Sequence, residues 1–173
     1  MRGKQTNYLF LLPLIILLTS CSRKTYKLPS QLTVIDDELM MVGPFRYQDI
    51  LDNFPEWKDA QEAAQVDERV ISDFKNIKAE INIQCFIGTW CSDSREGVPS
   101  FMKVLLMVNN PNIQIKLIGV DRRMDDPDHL APQNNVNKVP TFIVKIGDME
   151  MFRMIEFPEI TFEEDFINKL ENR

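Results

Sequence analysis

The sequence has few of the residues that usually carry catalysis or hold metals. Its 173 residues include one histidine, three cysteines and six glycines. Three cysteines, at positions 21, 85 and 91, are too few for a disulfide-stabilised scaffold. The chain has no Walker loop and no glycine-rich dinucleotide turn, so its motifs predict no nucleotide. The histidine, His129, lies in an aspartate-rich polar segment, and we assign no metal site to it.

The first twenty residues have the pattern of a secretory leader. Arg2 and Lys4 give a basic start, and residues 8–18 form an apolar run broken by one proline. The run is too short to span a bilayer comfortably but suits the apolar core of a signal peptide. It ends in LTSC, which resembles the bacterial lipobox, with Cys21 as the lipid acceptor. We therefore predict that residues 1–20 are removed and that lipid on Cys21 anchors the chain to a membrane. A plain secretory leader and a buried N-terminal helix are the alternatives.

The remaining chain is expected to be a short tether followed by one domain. Residues 21–31 are polar, and residues 32–173 are long enough to form one ordinary hydrophobic core. Ser22 after the lipidated cysteine slightly favours the outer membrane, so the lipobox resemblance implies a lipid-anchored bacterial envelope protein that faces the periplasm. Without the leader the chain has 18 basic and 26 acidic residues, a net charge of −8, which argues against nucleic acid as a partner.

Apolar periodicity predicts alternating strands and helices. Strands are predicted at one or two places in 32–45 and at 81–87, 113–120, 140–146 and 149–157. Helices are predicted in part of 47–65, from Glu68 after a cap at Asp67, over 92–108, and after a cap at Thr161. Residues 121–138 form a polar connection with at most a short helix. This order predicts an α/β fold in which helices flank a mixed central sheet, with a closing β-hairpin and a C-terminal helix.

Four features, in the same order as in that family, make residues 65–170 resemble the thioredoxin superfamily. Trp90-Cys91 joins a buried strand to a helix, and Pro99 lies eight residues after the cysteine, where thioredoxins have a helix-kinking proline. Val139-Pro140-Thr141 resembles the segment that holds the family's cis-proline, and Gly147-Asp148 lies in the hairpin turn that follows. The resemblance implies a thioredoxin fold with its core in 65–172 and an N-terminal extension in 32–64.

The sequence GTWCSDSREGVP, residues 88–99, is similar to an envelope lipoprotein branch of this superfamily that has a Trp-Cys-x-Asp-Ser site. Thioredoxin-type reductases use Cys-x-x-Cys, and Ser94 stands here in place of the second cysteine. The family also buries an acid six residues before the first cysteine and pairs it with a lysine on the next strand. Those positions are Cys85 and about Leu117 in this chain. Both departures argue against an independent dithiol reductase.

The resemblance implies that Cys91 is the reactive nucleophile. Unpaired N–H groups and the dipole at a helix N-terminus favour the thiolate of a cysteine placed there. We expect Ser94, one turn later, to donate a hydrogen bond to that thiolate. A cis peptide at Val139-Pro140 is expected to position a substrate chain beside the sulfur, and Trp90 to flank the site. This chemistry needs no cofactor.

Two functions fit these residues. The first is thiol–disulfide exchange by a single thiol, with an envelope protein or a small-molecule thiol as the partner. The second is a non-enzymatic module that binds partners in the groove beside Pro140. A third, an iron–sulfur carrier, fits poorly because the Cys-Ser-Asp-Ser loop lacks the Gly-Phe that such carriers have there. Cys85 is expected to be a buried apolar side chain. The alternative, that it resolves a disulfide on Cys91, requires their Cα atoms to lie within about 7 Å.

Overall fold

The computed structural model describes residues 32–172. The predictions for residues 1–31, which are a leader, lipidation of Cys21 and a tether, lie outside this range. In chain order the elements are β1 (Leu32–Ile35), β2 (Glu38–Met41), β3 (Gly43–Phe45), α1 (Tyr47–Asn53), α2 (Pro55–Ala63), α3 (Glu68–Asn76), β4 (Ile81–Ile87), α4 (Ser92–Val108), β5 (Ile113–Gly119), α5 (Leu130–Gln133), β6 (Thr141–Ile146), β7 (Met149–Ile155) and α6 (Phe162–Glu171). Among the helices in 32–172, none is long and apolar enough to cross a membrane.

The central sheet has five strands in the order β3-β5-β4-β6-β7. Strands β4 and β5 run parallel, whereas the other neighbouring pairs are antiparallel. β4 lies in the middle, where both of its edges are paired and where residues 85–87 are buried on both faces of the sheet. The predicted mixed sheet, closing hairpin and C-terminal helix are confirmed.

The N-terminal part contains three strands, where the sequence predicted one or two. β1 and β2 form a separate hairpin, and β3 pairs with β5 at the edge of the central sheet. Gly119 on β5 allows this close approach, because a Cβ there would lie 2.0 Å from the carbonyl oxygen of Met41. Residues 32–64 are therefore more than an extension, because β3 is a strand of the central sheet.

Local signals explain where the helices begin and end. The Asp67 side chain accepts a hydrogen bond from the Arg69 N–H at the start of α3, and Thr161 caps α6 in the same way. Asn109 ends α4 in the left-handed conformation, with φ of 46°. The predicted helical stretch 47–65 is two helices, since Pro55 has no N–H to continue α1 and instead begins α2.

Two apolar clusters cover the two faces of the sheet. The larger lies under α2, α3, α4 and α6 and contains a group of phenylalanines whose rings contact one another, mostly in tilted or edge-to-face pairs: Phe74, Phe101, Phe142, Phe152, Phe162 and Phe166. The smaller lies under α5 and the segment that follows β5. Because side chains alternate along a strand, Cys85 belongs to the larger cluster and Phe86 to the smaller one.

Candidate functional site

Cys91 lies where the central strand β4 gives way to helix α4. Residues 88–91 form a tight turn in which the Cys91 N–H donates to the Gly88 carbonyl at 3.0 Å. Cys91 is the N-cap of the 17-residue α4, with φ of −93° and ψ of 124°, and its side chain is half-buried. Cys91 therefore begins a long helix whose first N–H groups have no intrahelical partner, and its side chain remains accessible to another molecule.

The peptide bond between Val139 and Pro140 is cis, as the sequence predicted. The Cys91 thiol donates to the Val139 carbonyl oxygen across 3.3 Å. Pro140 is linked in turn to the end of β7, because its carbonyl accepts from the Glu156 N–H at 2.8 Å. The turn before α4, the cis-proline segment and the start of the β7–α6 connection therefore meet around one sulfur atom.

Ser94 lies beneath the turn that carries Cys91. Its side chain is fully buried, and Oγ accepts a hydrogen bond from the Gly88 N–H at 3.3 Å. Within residues 32–172 it makes no hydrogen bond to the Cys91 sulfur. The hydroxyl is directed beneath the turn because Gly88, at the end of β4, has a backbone donor that needs a partner there. In this structure Ser94 stabilises the turn that carries Cys91.

Trp90, which directly precedes Cys91 in the turn, is held by three contacts. Its ring lies over Gly88, where a Cβ would come within 2.6 Å of the indole. Its Nε1 donates to the Val120 carbonyl at 3.0 Å, and the Arg122 guanidinium lies 4.9 Å from the ring centroid. Arg122 is itself paired with Glu38 of β2. Arg122 was not predictable from local patterns, because its position over Trp90 depends on how the β1–β2 hairpin packs.

Cys85 is enclosed in the opposite layer. It is fully buried, lies between Leu117 of β5 and Phe142 of β6 in the sheet register, and belongs to the larger apolar cluster. Cys91 packs against the smaller cluster on the other face, and both cysteines are free. Burial raises the pKa of the Cys85 thiol well above its ordinary value. The arrangement favours the buried apolar reading of Cys85 over a resolving role. The sheet register also places Leu117 of β5 opposite Cys85, at the position predicted for the family's lysine.

A cleft of about 250 Å³ begins two residues after Cys91, and sequence reasoning missed it. One wall is α4, which contributes Asp93 and Glu96, and the other wall is the segment 156–163. Asp93, half-buried at the start of α4, accepts a hydrogen bond from the Ser92 hydroxyl. The acids of the cleft lie far apart in the sequence, with Asp93 and Glu96 at the start of α4 and Glu156 and Glu163 just before and at the start of α6, and only the fold brings them together.

His129 forms a local ion pair. Its Nδ1 lies 2.8 Å from an Asp125 oxygen, and this contact raises the pKa of the histidine and lowers that of the aspartate. Asp126 nearby accepts from the backbone N–H groups of Asp128 and Ala131, so it organises the loop. No group of three or more potential metal ligands lies together in 32–172. The segment therefore serves as a hydrogen-bonded loop in the described structure.

A cysteine at the N-terminus of a helix, facing a cis-proline beside a central mixed sheet, defines a protein of the thioredoxin-fold class. Residues 46–166 match the family model described as Thioredoxin, and the chain belongs to that family. A protein of unknown function from Pseudomonas aeruginosa has a similar fold, with 12% identity, a TM-score of 0.59, and coverage of 75% of this chain and 93% of its own. An HIV epitope scaffold is similar at 13% identity and a TM-score of 0.59, covering 76% and 94%. Among curated proteins, none matches the chain in sequence.

Proposed function

We propose that this protein carries out thiol–disulfide exchange with Cys91 as its single reactive thiol. The observation that carries the proposal is the placement of the Cys91 sulfur, half-buried at the start of α4 and 3.3 Å from the carbonyl of the cis peptide. Membership of the thioredoxin family supports thiol chemistry at this position. The second motif position is a buried serine, and the other described cysteine is enclosed on the far side of the sheet.

The proposed reaction has two steps. In the first, the Cys91 thiolate attacks one sulfur of a substrate disulfide, the S–S bond breaks, and the other substrate sulfur leaves as a thiolate. A mixed disulfide between Cys91 and the substrate remains. In the second step an external thiolate, or the thiolate of another cysteine in the same substrate, attacks the substrate sulfur of the mixed disulfide, and Cys91 leaves as a thiolate. An external thiol ends in a disulfide with the substrate, and a second external thiol attacks that disulfide to give the reduced substrate and the oxidised external disulfide. A substrate thiol gives isomerisation with no net change of oxidation state.

The surrounding residues position the substrate in this scheme. Val139 and Pro140 lie directly beside the sulfur, so a chain whose disulfide is attacked must pass along the cis-proline segment. Trp90, held by its bond to the Val120 carbonyl, forms another side of the site. Ser94 keeps the turn in place through Gly88. None of these roles requires a cofactor.

The location is the second part of the proposal. The basic start, the apolar run and the lipobox-like LTSC support a lipid anchor on Cys21, with residues 21–31 as the tether. The domain then faces the periplasm of a bacterial envelope, with the outer membrane slightly favoured by Ser22. Its partners are envelope proteins or small-molecule thiols that reach this compartment.

Turnover of a disulfide-linked peptide pair in the presence of cysteamine tests the chemistry. We expect the protein to accelerate exchange, the Cys91→Ala variant to show only the uncatalysed rate, and the matched Cys85→Ala variant to keep its activity. If Cys91→Ala is as active as the unaltered protein, the proposal is wrong.

A non-enzymatic binding module is the second candidate, and a specific observation favours it. Phe157 and Ile160, just after the strand that contacts Pro140, expose 71% and 63% of their surface. Exposed apolar side chains beside a groove are typical of a surface that binds another protein. A partner that remains bound to Cys91→Ala with unchanged affinity, without any exchange activity in the unaltered protein, would identify this function.

A further inference from the structure

The cleft that begins at Asp93, two residues after Cys91, combines acidic and apolar side chains. Asp93 and Glu96 lie along its α4 wall, and Glu156 and Glu163 lie along the opposite wall. The exposed rings and branches of Phe157 and Ile160 belong to the same cleft. The residues that line it include no lysine and no arginine.

Glu163 is the residue that points to a ligand. It is only 5% exposed, and its Oε1 is buried without a hydrogen-bond partner in the described residues. It lines this cleft and also the smaller neighbouring one that extends toward Gln65. A buried carboxylate is costly unless it is paired, and the first turn of α6 compensates it only in part. A cationic group that entered the cleft would supply the missing partner.

The charges around Glu163 are not neutralised within the cleft. Glu156 is paired with Lys138 at 2.6 Å. Asp93, Glu96 and Glu163 form no ion pair within residues 32–172. Three acids therefore remain for an incoming positive charge, whereas an anionic molecule would be repelled.

We infer that this cleft selects polypeptide substrates that carry a basic side chain next to an apolar one, close to the cysteine that Cys91 attacks. The basic group pairs with Glu163, and the apolar neighbour covers Phe157 and Ile160. This inference rests on the proposed function, because it names the substrate of the same site. It favours a protein partner over an anionic small thiol such as glutathione.

Two matched peptides test the inference. Each carries one cysteine activated as a 2-thiopyridyl disulfide, followed by Lys-Phe in one peptide and Glu-Phe in the other. We expect the Lys-Phe peptide to release thiopyridone about five to ten times faster, with the difference shrinking at high salt. Glu163→Gln should abolish most of this preference, and Glu96→Gln, on the exposed rim of the cleft, should reduce it. Glu159→Gln is the matched control, because Glu159 is exposed, does not line the cleft and should leave the preference unchanged.

Two further measurements separate this inference from the proposed chemistry. The rate of the unaltered protein with 2,2′-dithiodipyridine, a small neutral disulfide, reports the Cys91 thiol without any contribution from the cleft. Anisotropy of fluorescent peptides with serine in place of cysteine reports binding without any exchange. Equal binding and equal rates for the two peptides, or a preference that survives in Glu163→Gln, would overturn the cleft inference. Failure of Cys91 to react with dithiodipyridine would overturn the proposed function, and the binding measurement would still decide the cleft.

Discussion

Replacing Ser94 by alanine separates a structural role of this residue from a chemical one. Ser94 is fully buried, and its Oγ accepts from the Gly88 N–H at 3.3 Å. The substitution leaves that backbone donor without a partner, which costs about 1–3 kcal/mol for a buried group. The 3.3 Å distance is long for such a bond, so we expect a loss of about 1–2 kcal/mol in the free energy of unfolding.

Urea unfolding of the unaltered protein and of Ser94→Ala measures this loss. Ser92→Ala is the matched control, because it removes a hydroxyl from the same helical turn at an exposed position and should change stability by less than about 0.5 kcal/mol. The alkylation rate of Cys91 in folded Ser94→Ala should stay within about twofold of the unaltered rate, since no bond joins Ser94 to the sulfur. Unchanged stability with a tenfold slower alkylation would refute this reasoning and restore the role predicted from the sequence.

Three other substitutions test other parts of the account. Ser94→Cys supplies the second thiol of a Cys-x-x-Cys motif, so we expect an internal disulfide with Cys91 in place of a persistent mixed disulfide. Intact mass after oxidation checks this expectation, and a surviving mixed disulfide would contradict it. Gly97→Ala places a Cβ 2.3 Å from the Phe162 ring, and that ring cannot move away easily because it packs against Phe142. Urea unfolding should therefore show a loss of about 1–3 kcal/mol in the free energy of unfolding. Cys85→Ala tests linkage to pH. The pKa of Cys85 is raised in the folded protein, so its contribution to stability is complete below the ordinary value of 9.0 and is lost as the pH rises from there toward the folded pKa. Between pH 8 and pH 10 the unaltered protein should therefore lose about 1 kcal/mol more stability than Cys85→Ala, and parallel losses would contradict the burial argument.

Most of the fold could be predicted because its signals are local. The run 81–87 and the helix 92–108 were predicted with the same limits that β4 and α4 have, since apolar periodicity, a preceding turn and Asn109 define them within the chain. The caps at Asp67 and Thr161 were predicted for the same reason. The third N-terminal strand was missed because the pairing of β3 with β5 depends on contacts between distant residues.

The candidate site was predictable in its identity and less so in its contacts. Cys91 and the cis bond before Pro140 follow from motifs that the family resemblance identifies. The bond of Ser94 to Gly88 depends on how the 88–91 turn folds over α4, and spacing alone does not determine which donor a hydroxyl meets. The acidic cleft was missed because Glu96 and Glu163 lie on different helices and meet only through the packing of Phe162 against Gly97.

Intact mass after reaction with excess 2,2′-dithiodipyridine directly tests whether Cys91 is the single reactive thiol of the folded protein. With Cys21 lipidated or removed, we expect the folded protein to release one equivalent of thiopyridone and to gain one thiopyridyl group, which peptide mapping places on Cys91 and which persists until an external thiol is added. Buried Cys85 should react only after denaturation. Rapid release of two equivalents with a disulfide between Cys85 and Cys91, or a folded protein in which Cys91 does not react, would contradict it.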